Sequence, residues 1–182
     1  MNLQLSNLKL VPSNLVGATR LVSKVAAHIP PTLEELRPIT LLNTDYKLLT
    51  RILSKRISKV LHQVIRSSQS CGVKDANICS SACNLLSLIE AVQKSGKAAA
   101  IMSLDLFKAY DRTNLTFLKR VMSAMNFSDK FISWILLLHE GAKTRLLLDF
   151  LTEPIDVLFS VRQGDPLAMI LFILYIEPLF MK

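Results

Sequence analysis

The segment AAAIMSLDLFKAYDR, residues 98–112, decides how the rest of this sequence is interpreted. Its first part is almost entirely apolar, which predicts a buried strand. Asp105 follows this apolar run, and Asp111 lies six residues later. An ionised carboxylate after a buried strand is costly unless it is paired or binds a cation. Asp105 is therefore a candidate ligand for magnesium, which prefers oxygen ligands, and the capping of a turn is the alternative.

Composition narrows the class of protein. The chain has 182 residues, of which 51% are hydrophobic, and this length allows one domain or slightly more. The longest apolar run, LAMILFILYI at residues 167–176, suits a buried helix better than a membrane span of about 20 residues. We predict no transmembrane segment. No histidine lies near Cys79 and Cys83 to complete a zinc site, so the three cysteines are interpreted as reduced, partly buried thiols.

The net charge of +8 is concentrated in one segment. Between Tyr46 and Lys74 there are seven bases and no acid, a pattern that points to a polyanion such as nucleic acid. Most of this segment reads as one long amphipathic helix. Its basic side is formed by Lys47, Arg51, Lys55 and Lys59. Its apolar side is formed by Leu49, Leu53, Ile57, Val60 and Val64. The basic side is either a binding face or an ordinary solvated face, and the pattern leaves both open.

The remaining elements alternate irregularly between helix and strand. Residues 1–32 read as an irregular leader, with organelle targeting as a weaker alternative, and residues 29–39 as a loop or edge segment containing several prolines. One helix ends at Gly96, another carries an apolar stripe from Leu115 to Met125, and Ser128 begins a third. TRLLLDF and IDVLFS predict a β-hairpin, and Asp165 with Pro166 begins a last, apolar helix. The fold class is α+β, with helices packed on an antiparallel sheet.

Four segments together resemble a known family. LRPITLLNTDYKLLTRIL, SLDLFKAYDR, FISWILLLHEG and VRQGDPLAMILFILYIEPL are similar, in this order, to the reverse transcriptases of non-LTR (LINE-type) retrotransposons. The resemblance runs from about residue 33 to the end. It implies a partial right-hand polymerase fold that copies RNA into DNA, with a fingers-like helical segment at 33–97 and a partial palm at 98–182.

The resemblance also implies roles for individual residues. Asp105 is similar to the first palm aspartate, which ligates both Mg²⁺ ions of a two-metal polymerase. Tyr110 matches the aromatic residue under the incoming sugar, with core packing as the alternative. Gln163 and Gly164 match the loop at the nascent base pair, and Arg37 the arginine that grips the triphosphate.

Further roles follow for nucleic-acid contacts. Arg162 is expected to contact template or backbone, and Lys47, Arg51, Lys55 and Lys59 to line the template path. RNA template and primer DNA are the implied partners, and no membrane is. Asp111 is predicted to have a structural role near a helix start, together with Thr113 or Asn114.

The sequence departs from the family in several places. Ser160 stands where the family has glycine, Ala168 and Met169 replace a small residue followed by proline, and the segment GVKDAN replaces a Pro-Gly-Arg-type turn. No Ala-Asp-Asp strand follows the last helix; the one adjacent pair of acids is Glu34 and Glu35, far upstream. We therefore expect a reverse transcriptase fragment that binds Mg²⁺ weakly or not at all and is inactive alone. The alternative is a non-catalytic RNA-binding remnant that uses the basic helix.

Overall fold

The computed structural model describes residues 12–24, 32–73 and 76–180. A short helical turn, α1 (Pro12–Leu15), leads into β1 (Val16–Ser23), which pairs antiparallel with β2 (Leu36–Leu41). On its other side β1 pairs in parallel with β3 (Lys143–Leu146). β3 then pairs antiparallel with the two-residue β4 (Ile155–Asp156), which confirms the predicted hairpin. The sheet order is β2-β1-β3-β4.

The central position of β1 corrects two predictions. The leader was expected to have little structure, yet within it residues 16–23 form an interior strand of the sheet. The sheet is also mixed, because β1 and β3 run parallel, so the wholly antiparallel prediction is wrong for that pairing. Both errors have one physical cause: β1 pairs with residues more than 100 positions away, and such pairing leaves no local periodicity to detect. Residues 1–11 of the predicted leader lie outside the described residues.

The predicted basic helix forms as two pieces, α2 (Thr44–Ser58) and α3 (Leu61–Val64). The buried face of α2 consists of Tyr46, Thr50, Leu53 and Ile57. Leu53 and Ile57 therefore lie on the predicted apolar side, whereas Val60 sits at the break between the helices and is exposed. Lys74, the last base of the predicted segment, is outside the described residues, and so is Asp75 of the GVKDAN turn.

Three helices build the core beside α2. In α5 (Leu115–Ala124) the buried residues Leu118 and Met122 confirm the predicted stripe, and α6 (Asp129–Leu137) follows Ser128 as predicted. α7 (Ala168–Ile176) is apolar on every side, and most of it is buried, as expected of such a helix. No helix among the described residues is both long and apolar enough to cross a membrane.

One part of the chain is largely uncovered. α4 (Ile78–Ser95) ends at Gly96, whose φ of +64° is the left-handed C-cap predicted there, but none of its residues is buried. Residues 97–106 have no secondary structure, so the buried strand predicted before Asp105 is wrong. A strand needs a neighbour to bond its backbone groups, and among the described residues no strand pairs with this segment.

Cys71, Cys79 and Cys83 are exposed, which corrects their predicted partial burial.

Candidate functional site

Two of the segments predicted to meet at one site are joined by backbone hydrogen bonds. Tyr110–Arg112 form a short 3₁₀ turn after the Asp105 segment, and the RQGDP loop approaches it from the far end of the chain. The Val161 N–H donates to the Tyr110 carbonyl at 3.1 Å, and the Ser160 N–H donates to the Thr113 carbonyl at 3.1 Å. The turn that carries Tyr110 is thus fixed directly against the loop that carries Gln163.

The Tyr110 ring is half-buried against α7. It meets Phe172 edge to face, with ring centroids 5.1 Å apart. Such a pair stabilises the turn beyond the area that it buries. One side of the Tyr110 ring therefore packs in the core, which was the alternative to a contact with the sugar. Because the residue is partly exposed, its other side is free to contact a ligand.

The loop lies tightly on the edge strand β2. The Thr40 N–H donates to the Gln163 carbonyl at 2.8 Å. Gly164 has a φ of +111°, and a Cβ at this position would overlap the carbonyl oxygen of Thr40. Glycine is required here by the close approach of two backbone segments within the protein.

Ser160 begins the same loop with an unusual backbone conformation. Its φ is +112°, in a region that non-glycine residues rarely adopt. The resemblance places glycine at this position, and the structure supplies the physical reason for that preference. The serine keeps the turn but strains it.

Arg162 is buried, which does not support its predicted contact with nucleic acid. Its Nη1 donates to the Leu15 carbonyl at 3.0 Å and its Nη2 to the Leu138 carbonyl at 3.4 Å. The guanidinium also lies 4.6 Å from the ring centroid of Tyr46. These contacts hold the base of the loop from inside, so we assign Arg162 a structural role.

Tyr46 completes this buried network, and sequence reasoning missed it. Its hydroxyl donates to Asp165 Oδ2 at 3.1 Å, and Asp165 Oδ1 accepts from the Leu167 N–H at 2.9 Å. Burial, with the Asp165 charge beside it, raises the pKa of Tyr46, so the hydroxyl keeps its proton. Asp165 was predicted to cap the last helix with Pro166 as its first residue, but α7 begins at Ala168 and its N-cap position is Leu167, so Asp165 instead bonds the turn just before the helix. The signal for Tyr46 was its spacing of four and seven residues from Thr50 and Leu53 on one helix face.

A small cavity lies between the sheet, the turn and the loop. Its volume is about 150 Å³, and both Asp111 and Gln163 line it. On the sheet side, the Thr19 hydroxyl lies 2.8 Å from that of Thr40 and 2.6 Å from that of Thr144, so three adjacent strands contribute to one hydrogen-bonded row. Sequence reasoning missed this row because its members are far apart in the chain.

Asp111 does not cap the following helix. Asn114 does, because its side chain accepts from the Phe117 N–H at 3.0 Å, which confirms the predicted capping by one of the named candidates. Burial raises the pKa of Asp111, while Lys108, the Gln163 side chain and Lys24 act in the opposite direction. Asp111 and Gln163 are 52 positions apart in the printed sequence and line the same cavity.

The other predicted residues lie at the surface. Asp105 is exposed on residues 97–106, and no group of three metal-ligating side chains occurs among the described residues. Arg37 is exposed on the edge strand, opposite Val22. Lys108, near Asp105, donates to the Leu33 carbonyl at 3.2 Å, which brings the turn towards the start of β2.

The basic side of α2 remains open. Arg51, Lys55 and Lys59 are exposed, and Lys47 is half-buried. In the part of the chain that the structure describes, the one ion pair joins Lys143 to Asp156 at 3.1 Å. The predicted stripe therefore forms a helix face whose charges are not neutralised by neighbouring described acids.

The family described as "Reverse transcriptase (RNA-dependent DNA polymerase)" matches residues 26–182 of this chain. The chain belongs to this family. It is also 33% identical over 143 residues to the "Transposon TX1 uncharacterized 149 kDa protein" of Xenopus laevis. The match covers 78% of this chain and 11% of that relative, so the chain spans about a tenth of the relative's length. The predicted resemblance to retrotransposon reverse transcriptases is confirmed, and the match begins a few residues earlier than expected.

Proposed function

We propose that this reverse transcriptase chain supplies the fingers and part of the palm of an RNA-directed DNA polymerase. The observation that carries the proposal is the backbone bonding between the Tyr110 turn and the Gln163 loop. These segments lie about 50 residues apart, and the family resemblance gives both a role around the incoming nucleotide. No specific observation favours a non-catalytic RNA-binding role over this one.

The nucleotide site proposed here has three walls. The half-exposed ring of Tyr110 would lie under the sugar, and the loop of Gln163 and Gly164 would meet the base pair. Arg37, exposed on β2, is permanently charged and its forked guanidinium suits a triphosphate. Bonding of Thr40 to Gln163 fixes the loop to the strand that carries Arg37.

The template path proposed here follows α2. Arg51, Lys55 and Lys59 step along its exposed side, and the described acids leave them without ion pairs. A charge of this kind attracts the phosphate backbone without reading base sequence. This property suits a polymerase, which must accept any template.

Reverse transcriptases as a family use divalent metal ions, and Asp105 is the proposed Mg²⁺ ligand. The described residues do not by themselves fit such an ion, because one exposed carboxylate is far short of the oxygen ligands that Mg²⁺ requires. We therefore derive no catalytic step through the metal. In the proposed function, further carboxylates must bind the metal together with Asp105 before DNA can be synthesised.

Template binding by the 182-residue chain tests the proposed path. Affinity for single-stranded poly(rA) is measured between 50 and 300 mM salt for the wild type and for Lys55→Gln/Lys59→Gln. Loss of two phosphate contacts should reduce the slope of log K against log salt by about 1.4. The matched control is Lys119→Gln/Arg120→Gln, two exposed bases of α5, which should leave the slope unchanged. Equal slopes in both variants would remove α2 from the template path.

Primer extension tests the polymerase part. On poly(rA)/oligo(dT) with Mg²⁺, we expect the 182-residue chain to incorporate no dTTP, because no group of three metal-ligating side chains occurs around Asp105 among the described residues. Incorporation that disappears in Asp105→Asn would show instead that the chain assembles a complete metal site alone. Salt-sensitive RNA binding without nucleotide binding would favour the RNA-binding alternative.

A further inference from the structure

We propose that a cleft beside the end of α2 binds one unpaired base of a single-stranded RNA. The inference rests on the proposed template path for the identity of the strand, and it adds a site that the predicted bases of α2 do not include. The cleft involves the start of FISW, residues 131–134, which belongs to one of the four family segments and to which the resemblance assigns no role.

The cleft lies between the last turn of α2 and the connection from α5 to α6, and its volume is about 270 Å³. Its apolar lining consists of Ile57 and Val60 at the end of α2 and of Phe127 and Phe131 on the opposite side, and the exposed residues Arg56 and Asn126 also line it. Pockets for small molecules measure about 300–1,000 Å³, so this volume suits one flat ring better than a whole nucleotide.

The two phenylalanines offer a stacking surface for such a ring. The planes of Phe127 and Phe131 are 21° apart and their centroids are 6.0 Å apart, so the two rings are almost parallel. Both residues are only half-buried and both line the cleft, so aromatic surface is left open within it. Any of the four bases can stack on an aromatic ring, which agrees with a template path that must accept every sequence.

Two cations lie beside the cleft at a third aromatic ring. The Arg56 guanidinium lies 5.9 Å from the ring centroid of Trp134, and the Lys130 ammonium lies 6.0 Å from the same centroid. The Trp134 centroid is in turn 6.2 Å from that of Phe131. Neither cation forms an ion pair with a described acid, Asp129 included. Each charge is therefore available to a phosphate that adjoins the bound base.

The surrounding charge favours nucleic acid over an apolar segment of a protein. Successive helix residues are rotated by about 100°, so Arg56 lies about 60° from Lys59 on the basic side of α2. A strand whose phosphates follow that side passes the mouth of the cleft. An uncharged apolar peptide would leave these cations without partners, whereas RNA supplies both a flat ring for the cleft and phosphates for the basic side.

The first experiment needs no substitution, because Trp134 is the one tryptophan of the sequence. Oligo(rA) of about 12 nucleotides, or polyphosphate of equal charge, is titrated into the 182-residue chain, and displacement of a labelled oligo(rA) follows the binding of each. At equal saturation, oligo(rA) should quench the Trp134 fluorescence at least about twofold more than polyphosphate, since only RNA places a base beside Phe131. Equal quenching by the two ligands would show that only charge is sensed there. Bound RNA that leaves the fluorescence unchanged would assign the cleft to another occupant, such as an apolar peptide, and either result overturns the proposal.

The second experiment removes the rings. Phe127→Leu/Phe131→Leu keeps apolar side chains against the core, but the loss of stacking should weaken oligo(rA) binding at least about fivefold. The slope of log K against log salt should stay that of the wild type, because no charge is removed. The control Phe150→Leu/Phe159→Leu changes two exposed rings near the β3–β4 hairpin and should alter the affinity less than about twofold. Melting temperatures establish that each variant is folded; should the cleft variant not fold, the wild-type quenching decides alone. Equal affinities of the two folded variants overturn the proposal.

Failure of the template path and failure of the cleft give different results. If Lys55→Gln/Lys59→Gln leaves the salt slope unchanged while the cleft variant loses affinity, the base site stands without the proposed path. If the slope falls and the cleft variant binds oligo(rA) as tightly as the wild type, the path stands and the base site is disproved.

Discussion

The RQGDP loop shows how much a single residue's backbone decides. Ser160 and Gly164 both have φ values above +110°, but only one of them is glycine. Gln163 and Gly164 could be singled out from the sequence because they stand in a specific string, and their contact with a nucleotide stays a prediction. The buried contacts of Arg162 and Tyr46 could not be predicted, since their partners Leu15 and Asp165 lie more than 100 positions away in the chain.

Replacing Ser160 by glycine should stabilise the chain. A left-handed backbone at a non-glycine residue destabilises the folded state by about 1–3 kcal/mol, and glycine removes this strain. Glycine also has more freedom in the unfolded chain, which offsets the gain by about 0.4–1 kcal/mol. We expect Ser160→Gly to raise the free energy of unfolding by about 1 kcal/mol, measured by urea denaturation. The control Ser128→Gly makes the same change at a φ of −65°, and its free energy of unfolding should drop by a few tenths of a kcal/mol. Strain at Ser160 would be disproved by equal losses in the two variants.

Elements were predictable where the chain carries a local signal. The glycine at the end of α4 and the stripe of α5 are signals of this kind, and both were found. β1 gave no such signal, because its pairing depends on β2 and β3. The segment before Asp105 gave a misleading one, because an apolar run indicates burial only when another element covers it.

The end of α7 depends on one buried acid that no pattern revealed. Glu177 accepts from the Arg66 N–H at 3.0 Å and from Gln69 Nε2, and so joins α7 to the turn after α3. Glu177→Ala leaves both donors without this partner, a loss of about 3 kcal/mol in the free energy of unfolding. Glu140→Ala, at an exposed site, should change it by less than about 0.5 kcal/mol. Chemical denaturation of both variants measures the difference, and similar midpoints would show that the Glu177 bonds contribute nothing net.

At the scale of the whole molecule, two exposed surfaces differ in character. Arg51, Lys55 and Lys59 make one side of α2 basic, whereas α4 and residues 97–106 expose many apolar side chains. Ile101, Met102 and Leu104 are 66%, 80% and 82% exposed. The proposed template path uses the first surface, while the second is typical of a surface that another element covers.

We therefore expect the purified chain to self-associate through residues 97–106. Burying a large aliphatic side chain contributes about 1.5–3 kcal/mol, so Ile101→Ser/Leu104→Ser should raise the dissociation constant at least about tenfold. Sedimentation velocity over a range of concentrations measures it. The control Leu148→Ser/Leu158→Ser removes two apolar side chains that are also exposed but lie near the β3–β4 hairpin, and it should change association less than about twofold. Because both variants lose similar apolar area, equal weakening would mean that association is a general property of the surface. A selective effect would identify residues 97–106 as the face that a covering element must occupy before Asp105 can be held in place.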